Sequence, residues 1–132
     1  MKSTSPTQPQ VVLIAEDDPG SLMALATCLE LEGYTAVPAT DGETALACYD
    51  ERGGQFDFVI TDFNLPDCNG VELIAELRWQ GSTVPMLIVT AALVDEAILV
   101  QQGASAVLPK PLNIEAVLAW LRQGQSGEDA HS

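Results

Sequence analysis

Basic side chains are scarce in this sequence. Its 132 residues include 5 Lys and Arg against 19 Asp and Glu, which gives a formal net charge of −14. Proteins that bind DNA or RNA usually present a cationic surface to the phosphate backbone, and a strongly negative charge opposes that contact. We therefore expect no direct nucleic-acid partner.

Cysteine and histidine are also rare, and long apolar runs are missing. Cys28, Cys48 and Cys68 follow no spacing typical of zinc ligands, and the one histidine is His131, beside the C-terminus. This pattern argues against structural zinc and against a disulfide framework. All apolar runs are far shorter than the roughly 20 residues of a membrane span, and the N-terminus is polar rather than signal-like. We expect a cytoplasmic protein with reduced thiols and no membrane partner.

The sequence does contain enough apolar material for one core, since 47% of the residues are hydrophobic. Residues 11–123 alternate short apolar runs with amphipathic helical patterns and are predicted to form one domain. Residues 1–10 and 124–132 are polar, and we predict that both are flexible tails. The predicted strands are Val11–Ala15, Tyr34–Pro38, Phe56–Thr61, Val84–Thr90 and Ala104–Leu108. Such alternation is typical of an α/β fold of five βα units around a parallel sheet, although periodicity does not define the strand order.

Glycines and capping residues mark the ends of the predicted helices. Gly33, Gly81 and Gly103 follow the first, third and fourth helical segments, and glycine is typical just beyond a helix C-terminus. Asp41 and Asn113 precede the second and fifth segments, where their side chains can accept hydrogen bonds from the first N–H groups. These boundaries support the assignment of five helices.

Acidic residues follow the first and third predicted strands. Glu16, Asp17 and Asp18 come directly after the first strand, and Asp62 follows the third. Ligands of open parallel sheets bind beyond the carboxyl ends of the strands, where these carboxylates would repel one another unless a cation neutralises them. Oxygen ligands of this kind suit Mg²⁺, with Mn²⁺ as a substitute. Asp18 has a second interpretation as an acid at the start of a helix.

Two further strand ends carry Thr90 and Lys110. A carboxylate can act as a nucleophile towards phosphorus when a metal and a basic side chain neutralise the incoming oxygens. Lys110 would supply the basic group, and the Thr90 hydroxyl could donate a hydrogen bond to a phosphoryl oxygen. The strand ends therefore carry the residue types that formation of an aspartyl phosphate requires.

Four segments carry a family resemblance: VVLIAEDDP at 11–19, DFNLPDCNG at 62–70, TA at 90–91 and LPKP at 108–111. In this order and at strand ends, they resemble the response-regulator receiver domains of two-component phosphorelay signalling, the CheY-like superfamily. The resemblance covers about residues 10–123. It implies a flavodoxin-like, doubly wound five-stranded sheet with the strand order 2-1-3-4-5.

The resemblance also implies roles for the acidic residues and their neighbours. Asp62 would be the phosphoacceptor and a metal ligand, and Asp17 would bind Mg²⁺ directly. Glu16 is similar to the acid that usually acts through water, and the backbone carbonyl of Asn64 would complete the protein ligands. Lys110 resembles the lysine that pairs with the acceptor or with the phosphoryl group.

The chain departs from the family pattern at one position. The family usually has Tyr or Phe three residues before the lysine, where this sequence has Val107. In the family that aromatic side chain changes rotamer together with the residue that Thr90 resembles. The Lys110-Pro111 bond is similar to one that is commonly cis in the family.

By this resemblance the protein takes a phosphoryl group from a phosphohistidine on a histidine kinase or histidine phosphotransfer protein. It then signals to a downstream effector protein by conformational change and contact. It would catalyse only its own phosphorylation and dephosphorylation, so we do not expect an enzyme that turns over a free substrate. The alternative, kept open by Val107, is a binding module with the same fold that needs no phosphorylation. Both a stand-alone regulator and a receiver from a longer protein fit the sequence, and Met1 favours the first.

Overall fold

The computed structural model describes the backbone of residues 9–130 and the side chains as far as Gly124. The predicted tails are residues 1–10 and 124–132, of which 1–8 and 131–132 lie outside the described residues. Strands and helices alternate along the described part. The strands are β1 Val11–Ala15, β2 Thr35–Ala39, β3 Phe58–Asp62, β4 Met86–Thr90 and β5 Ala106–Pro109, and the helices are α1 Pro19–Leu31, α2 Gly42–Glu51, α3 Gly70–Trp79, α4 Glu96–Gln101 and α5 Ile114–Ala130.

The five strands form one parallel sheet in the order β2-β1-β3-β4-β5. This confirms the flavodoxin-like order 2-1-3-4-5. Asp62 at the end of β3 is in register with Val89, and Thr90 at the end of β4 is in register with Pro109. Because all strands run in the same direction, their carboxyl ends lie along one edge of the sheet.

Helices cover both faces of the sheet. Every residue of β3 and β4 is buried, as expected for strands covered on both sides. On one face, α2, α3 and α4 contribute buried side chains that include Ala45, Tyr49, Leu73, Leu77 and Leu99. On the other face, α1 and α5 contribute Leu22, Leu25, Leu29, Val117 and Leu121. The predicted apolar stripes of the helices are therefore the surfaces that pack on the sheet.

The predicted helix caps are confirmed. Asp41 accepts a hydrogen bond from the Thr44 N–H at 2.7 Å, and Asn113 accepts one from the Glu115 N–H at 2.9 Å. Glycines that follow α1, α3 and α4 have positive φ angles of 97°, 105° and 118°, which only glycine adopts without strain. These glycines are Gly33, Gly81 and Gly103.

The last three strands begin two residues later than predicted. Phe56, at the predicted start of β3, is buried and stacks on Tyr49 with the ring centroids 5.9 Å apart. Ala104 is likewise buried ahead of β5. These residues enter the core from the preceding turns, so apolar character extends beyond the hydrogen-bonded ladder.

The C-terminal boundary also differs from the prediction. The sequence predicts a flexible tail from Gly124, but α5 continues to Ala130. A Cβ at Gly124 would lie 3.0 Å from the Phe58 ring, so the helix still packs on the sheet at this point. The segment after it has no proline, and glycine costs a helix only about 1 kcal/mol. Although α5 is long, none of the helices among residues 9–130 combines the length and the apolar character that crossing a membrane requires.

Candidate functional site

Three carboxylates meet at the carboxyl edge of the sheet. Glu16 and Asp17 directly follow β1, and Asp62 is the last residue of β3. Each offers a carboxylate oxygen, and these oxygens lie within 4.8 Å of one another. Glu16 and Asp62 are buried, whereas Asp17 is exposed. The structure therefore brings three of the four predicted carboxylates together.

Asp18 has a different place. Its carboxylate accepts a hydrogen bond from the Ser21 N–H at 2.8 Å and caps the N-terminus of α1. This hydrogen bond holds the pKa of Asp18 below its ordinary value. Asp18 is therefore the helix-start acid of the second interpretation, and its backbone N–H donates to Glu16 Oε2 at 2.9 Å.

Lys110 enters the carboxylate cluster from the end of β5. Its Nζ lies 2.9 Å from both oxygens of Asp62 and 3.2 Å from Glu16 Oε1. The Lys110 N–H donates to the Thr90 carbonyl at 2.9 Å, which extends the β4–β5 pairing to the lysine and fixes its backbone. The Lys110-Pro111 bond is cis, as the family resemblance implies.

Burial and neighbouring charges affect the pKa values of Glu16 and Lys110 in different ways. Burial raises the pKa of Glu16, and the nearby charge of Asp62 adds to the effect, although the Asp18 N–H and Lys110 oppose it. Burial lowers the pKa of Lys110, but its hydrogen bonds and attraction to Asp62 and Glu16 outweigh burial, so its pKa is raised overall. Lys110 is therefore a fixed positive charge at neutral pH.

The side chains fit a hard divalent cation. With all groups ionised, three carboxylates and one ammonium leave a charge of −3 + 1 = −2 at the cluster. The donor atoms of Glu16, Asp17 and Asp62 are all oxygens, which is the ligand chemistry of Mg²⁺. Asn64, whose carbonyl is the fourth predicted ligand, lies two residues beyond Asp62 and pairs with Asn69 in an isolated antiparallel bridge.

Thr90 lies at the end of β4, and Val107 lies in β5 beside it. Thr90 is buried at the end of β4, and its Oγ1 accepts a hydrogen bond from the Ala92 N–H at 3.0 Å. A hydroxyl that accepts one bond can still donate its own hydrogen. Val107 pairs with Ile88 in the sheet, and its half-buried side chain packs against the core cluster that contains Leu99 of α4. The position that departs from the family pattern is therefore in β5, on the face of the sheet that α4 covers.

Two contacts of the loop after β3 were not predicted. The Asp67 carboxylate accepts hydrogen bonds from the N–H groups of Gly42 and Glu43, each at 2.9 Å. At Gly70, a Cβ would lie 2.6 Å from the Asp62 carbonyl oxygen, so a side chain there would displace the strand end. The Asp67 contact leaves no local sequence signal, because its partners lie 25 and 24 residues away along the chain. Gly70 is part of the DFNLPDCNG segment, but the sequence does not show which backbone atom it approaches.

A cavity adjoins the carboxylates on the side of α1. Its volume is about 270 Å³. Apolar residues line most of it, the exposed Ser21 and Ala24 of α1 lie at its outer side, and Asp62 and Lys110 also line it. The site is therefore reachable between α1 and the segment that connects β5 to α5.

The protein is a doubly wound α/β domain. Its site at the sheet edge consists of the strand-end carboxylates and Lys110. Residues 12–122 match the model of the response regulator receiver domain. The chain therefore belongs to the response regulator receiver domain family, as the sequence resemblance predicts.

Individual relatives agree with this assignment. The transcriptional regulatory protein TcrA of Mycobacterium tuberculosis is 38% identical over 113 residues, which cover 84% of this chain and 44% of TcrA. The chain thus spans about half the length of the curated relatives it matches. Among solved structures, chemotaxis protein CheY4 of Vibrio cholerae is 29% identical with a TM-score of 0.80, covering 88% of this chain and 98% of that one. A CheY-like receiver domain from Methanospirillum hungatei shares the fold, with a TM-score of 0.85 at 24% identity, covering 95% and 100% of the two chains.

Proposed function

We propose that Asp62 is the phosphoacceptor of this receiver domain and that it takes a phosphoryl group from a phosphohistidine. The donor would be a histidine kinase or a histidine phosphotransfer protein. The observation that carries the proposal is the environment of Asp62. Its buried carboxylate contacts the Lys110 ammonium at 2.9 Å through both oxygens and adjoins Glu16 and Asp17.

The chemistry follows from the carboxylate. One oxygen of Asp62 forms a bond to phosphorus while the nitrogen–phosphorus bond of the donor breaks, and the bonding electron pair returns to the imidazole. Both Asp62 oxygens contact Lys110 in the unmodified protein, and each oxygen keeps a further lone pair that can attack phosphorus. Lys110 then neutralises charge on the transferred group, and the Thr90 hydroxyl donates to one of its oxygens.

Glu16, Asp17, Asp62 and the Asn64 carbonyl would hold a Mg²⁺ or Mn²⁺ ion. When bound, the ion supplies positive charge against the phosphoryl oxygens. The need for it is electrostatic, because phosphorylation adds about −1.5 to −2 of charge to a cluster that already carries an excess of carboxylates. The same residues would support slow hydrolysis of the aspartyl phosphate by water.

The signal would pass from the site to a downstream effector protein by conformational change and contact. Thr90 and the loop after it are the elements that can move towards the phosphoryl group. Val107 gives a second candidate function, a binding module that acts without phosphorylation, because an aliphatic residue stands where the family has its aromatic switch. The two candidates predict opposite outcomes for one experiment.

The test is the intact mass of the protein after incubation with a small acyl phosphate, with and without Mg²⁺. We expect one phosphoryl adduct that requires Mg²⁺ and is absent in Asp62→Asn. The matched control is Asp50→Asn, which changes an exposed aspartate of α2 and should be labelled like the wild type. Asp17→Asn should lose the Mg²⁺-dependent adduct, and Lys110→Ala should weaken effector response more than stability.

An adduct on Asp62→Asn would show that the acceptor is misassigned. If the wild type gives no adduct, beryllofluoride, a stable phosphoryl mimic, distinguishes rapid hydrolysis from an inactive site. Failure to bind beryllofluoride as well would favour the phosphorylation-independent module.

A further inference from the structure

The loop that joins β3 to α3, residues 63–69, is closed on itself. The Leu65 N–H donates to the Cys68 carbonyl at 2.9 Å, and Asn64 pairs with Asn69 across the loop. The Gly70 N–H donates to the Phe63 carbonyl at 2.6 Å. Because these bonds connect the two sides of the loop, a displacement at its tip is transmitted to Asn64.

Asp67 lies at the tip of this loop and binds α2. One carboxylate oxygen accepts from the Gly42 N–H and the other from the Glu43 N–H, both at 2.9 Å. These N–H groups belong to the first turn of α2, where helix geometry provides no carbonyl partner. A carboxylate at this end also complements the helix dipole. The β3–α3 loop is therefore attached to α2 by two charge-assisted hydrogen bonds.

Packing strengthens this attachment. A Cβ at Gly42 would overlap with the Cys68 sulfur, so the loop and the first turn of α2 are in direct contact and glycine is needed between them. A second carboxylate, Asp41, caps the same turn through the Thr44 N–H at 2.7 Å. Asp41 precedes α2 in sequence and is not part of the loop. The chain therefore offers two caps on one helix, and one of them also holds the loop.

We propose that Asp67 is a positioning residue for the metal site, acting through the β3–α3 loop. Its two bonds to α2 fix the loop tip, and the loop bonds fix Asn64 relative to Asp62. Loss of these bonds lets the Asn64 carbonyl move away from the carboxylates and weakens divalent-cation binding. This inference rests on the proposed function, in which that carbonyl is a ligand.

The test compares Asp67→Ala with Asp41→Ala in the full chain. Binding of Mn²⁺ is measured by electron paramagnetic resonance, and Asp17→Asn defines nonspecific binding to the acidic surface. We expect Asp67→Ala to weaken the specific binding about tenfold or more, the usual effect of removing a group that orients a ligand. Asp41→Ala, which removes a cap from the same helix but no bond to the loop, should leave the Mn²⁺ affinity at the wild-type value. Asp67→Asn, which keeps one acceptor oxygen, should lie between wild type and Asp67→Ala.

Hydrogen exchange in metal-free protein gives a second readout. The Leu65 amide, which bonds to Cys68 across the loop, should exchange faster in Asp67→Ala and at the wild-type rate in Asp41→Ala. Wild-type Mn²⁺ affinity in Asp67→Ala overturns the proposal, and so does an equal loss in both variants. If Asp67→Ala does not fold, Asp67→Asn decides by the same criteria. If the wild type itself has no specific Mn²⁺ site, the proposed metal function fails, while unchanged Leu65 exchange separately overturns the positioning role.

Discussion

The Glu16 carboxylate lies at the end of β1 where its charge is poorly solvated. Burial raises its pKa from the ordinary value of 4.5, and the charge of Asp62 acts in the same direction, against the Asp18 N–H and Lys110. A raised acid pKa means that the folded state binds the proton more tightly than the unfolded state. Without metal, the free energy of unfolding therefore decreases as the pH rises from 4.5 through the folded-state value.

Replacing Glu16 with Gln should remove this penalty. The amide oxygen can still accept from the Asp18 N–H, and Lys110 keeps both oxygens of Asp62. We expect Glu16→Gln to increase the free energy of unfolding by on the order of 1 kcal/mol at neutral pH in the presence of a chelator. The gain should vanish below pH 4.5, where the wild-type carboxyl is protonated in both states. Urea unfolding across this pH range measures it.

The control for Glu16→Gln is Glu51→Gln, which removes the same charge from an exposed position at the end of α2. It should show no comparable gain. A Glu16→Gln protein that is less stable than the wild type at neutral pH without metal would mean that the bond to Lys110 outweighs burial.

Among the secondary-structure elements, α3 and α4 are joined at their C-terminal ends by Arg78. The guanidinium donates to the Gly103 carbonyl, which follows α4, at 2.8 Å and 3.2 Å. It also donates to the carbonyls of Val84 at 2.7 Å and Ser82 at 3.2 Å, in the connection that leads to β4. One side chain thus satisfies carbonyls from two segments, the connection before β4 and the turn after α4.

Replacing Arg78 with Met should destabilise the protein by about 2–3 kcal/mol, since bonds to a charged donor are lost and partly buried carbonyls remain unpaired. The matched control is Arg122→Met. Arg122 makes an exposed ion pair with Glu32 at 3.4 Å, and its loss should cost less than about 1 kcal/mol. Chemical denaturation of both variants gives the comparison. Equal losses would show that Arg78 contributes no more than a surface charge.

Elements were predictable from the sequence where the signal is local. The apolar stripe of Leu22, Leu25 and Leu29 and the cap at Asp41 identify their helices, because spacing and capping act within a few residues. The strand order was implied by family resemblance and not by periodicity. The contact of Asp67 with α2 was not predictable, since its partners are 24 and 25 residues away along the chain.

The site follows the same division. Placing carboxylates at strand ends predicts that Glu16, Asp17 and Asp62 meet, and the structure brings them together. Asp18 lies outside this cluster because the first turn of α1 provides the Ser21 N–H as a hydrogen-bond donor to its carboxylate. That geometry is not visible in the sequence. The sequence patterns also do not define which oxygens Lys110 contacts.

For the whole molecule, the dominant electrostatic property is the net charge of −14. Like charges held on one compact body repel each other, and the repulsion decreases when the chain unfolds. Salt screens such interactions over about 10 Å at 0.1 M. Monovalent salt should therefore increase the free energy of unfolding independently of any metal site.

We expect the thermal midpoint of unfolding to rise by a few degrees between about 0.01 M and 0.3 M KCl with a chelator present. This shift corresponds to a gain on the order of 1 kcal/mol in the free energy of unfolding. Asp62→Asn should retain most of this response. The matched variant carries Asp50→Lys and Glu51→Lys, which change the net charge from −14 to −14 + 4 = −10. This variant should show a smaller rise of the thermal midpoint with salt. Calorimetry at several salt concentrations measures it, and a midpoint that is independent of salt in the wild type would contradict the prediction.

The register of β3 connects the accuracy of folding to the accuracy of signalling. Asp62 stands opposite Val89, and Thr61 stands opposite Ile88. A slip of one residue would turn the alternating side chains of β3 to the opposite faces, so the Asp62 carboxylate would lose its alignment with Lys110 at the same time as the core lost its packing. Under the proposed function, a misfolded copy could not hold a phosphoryl group. Misfolded copies would therefore be inactive and would not transmit a false signal.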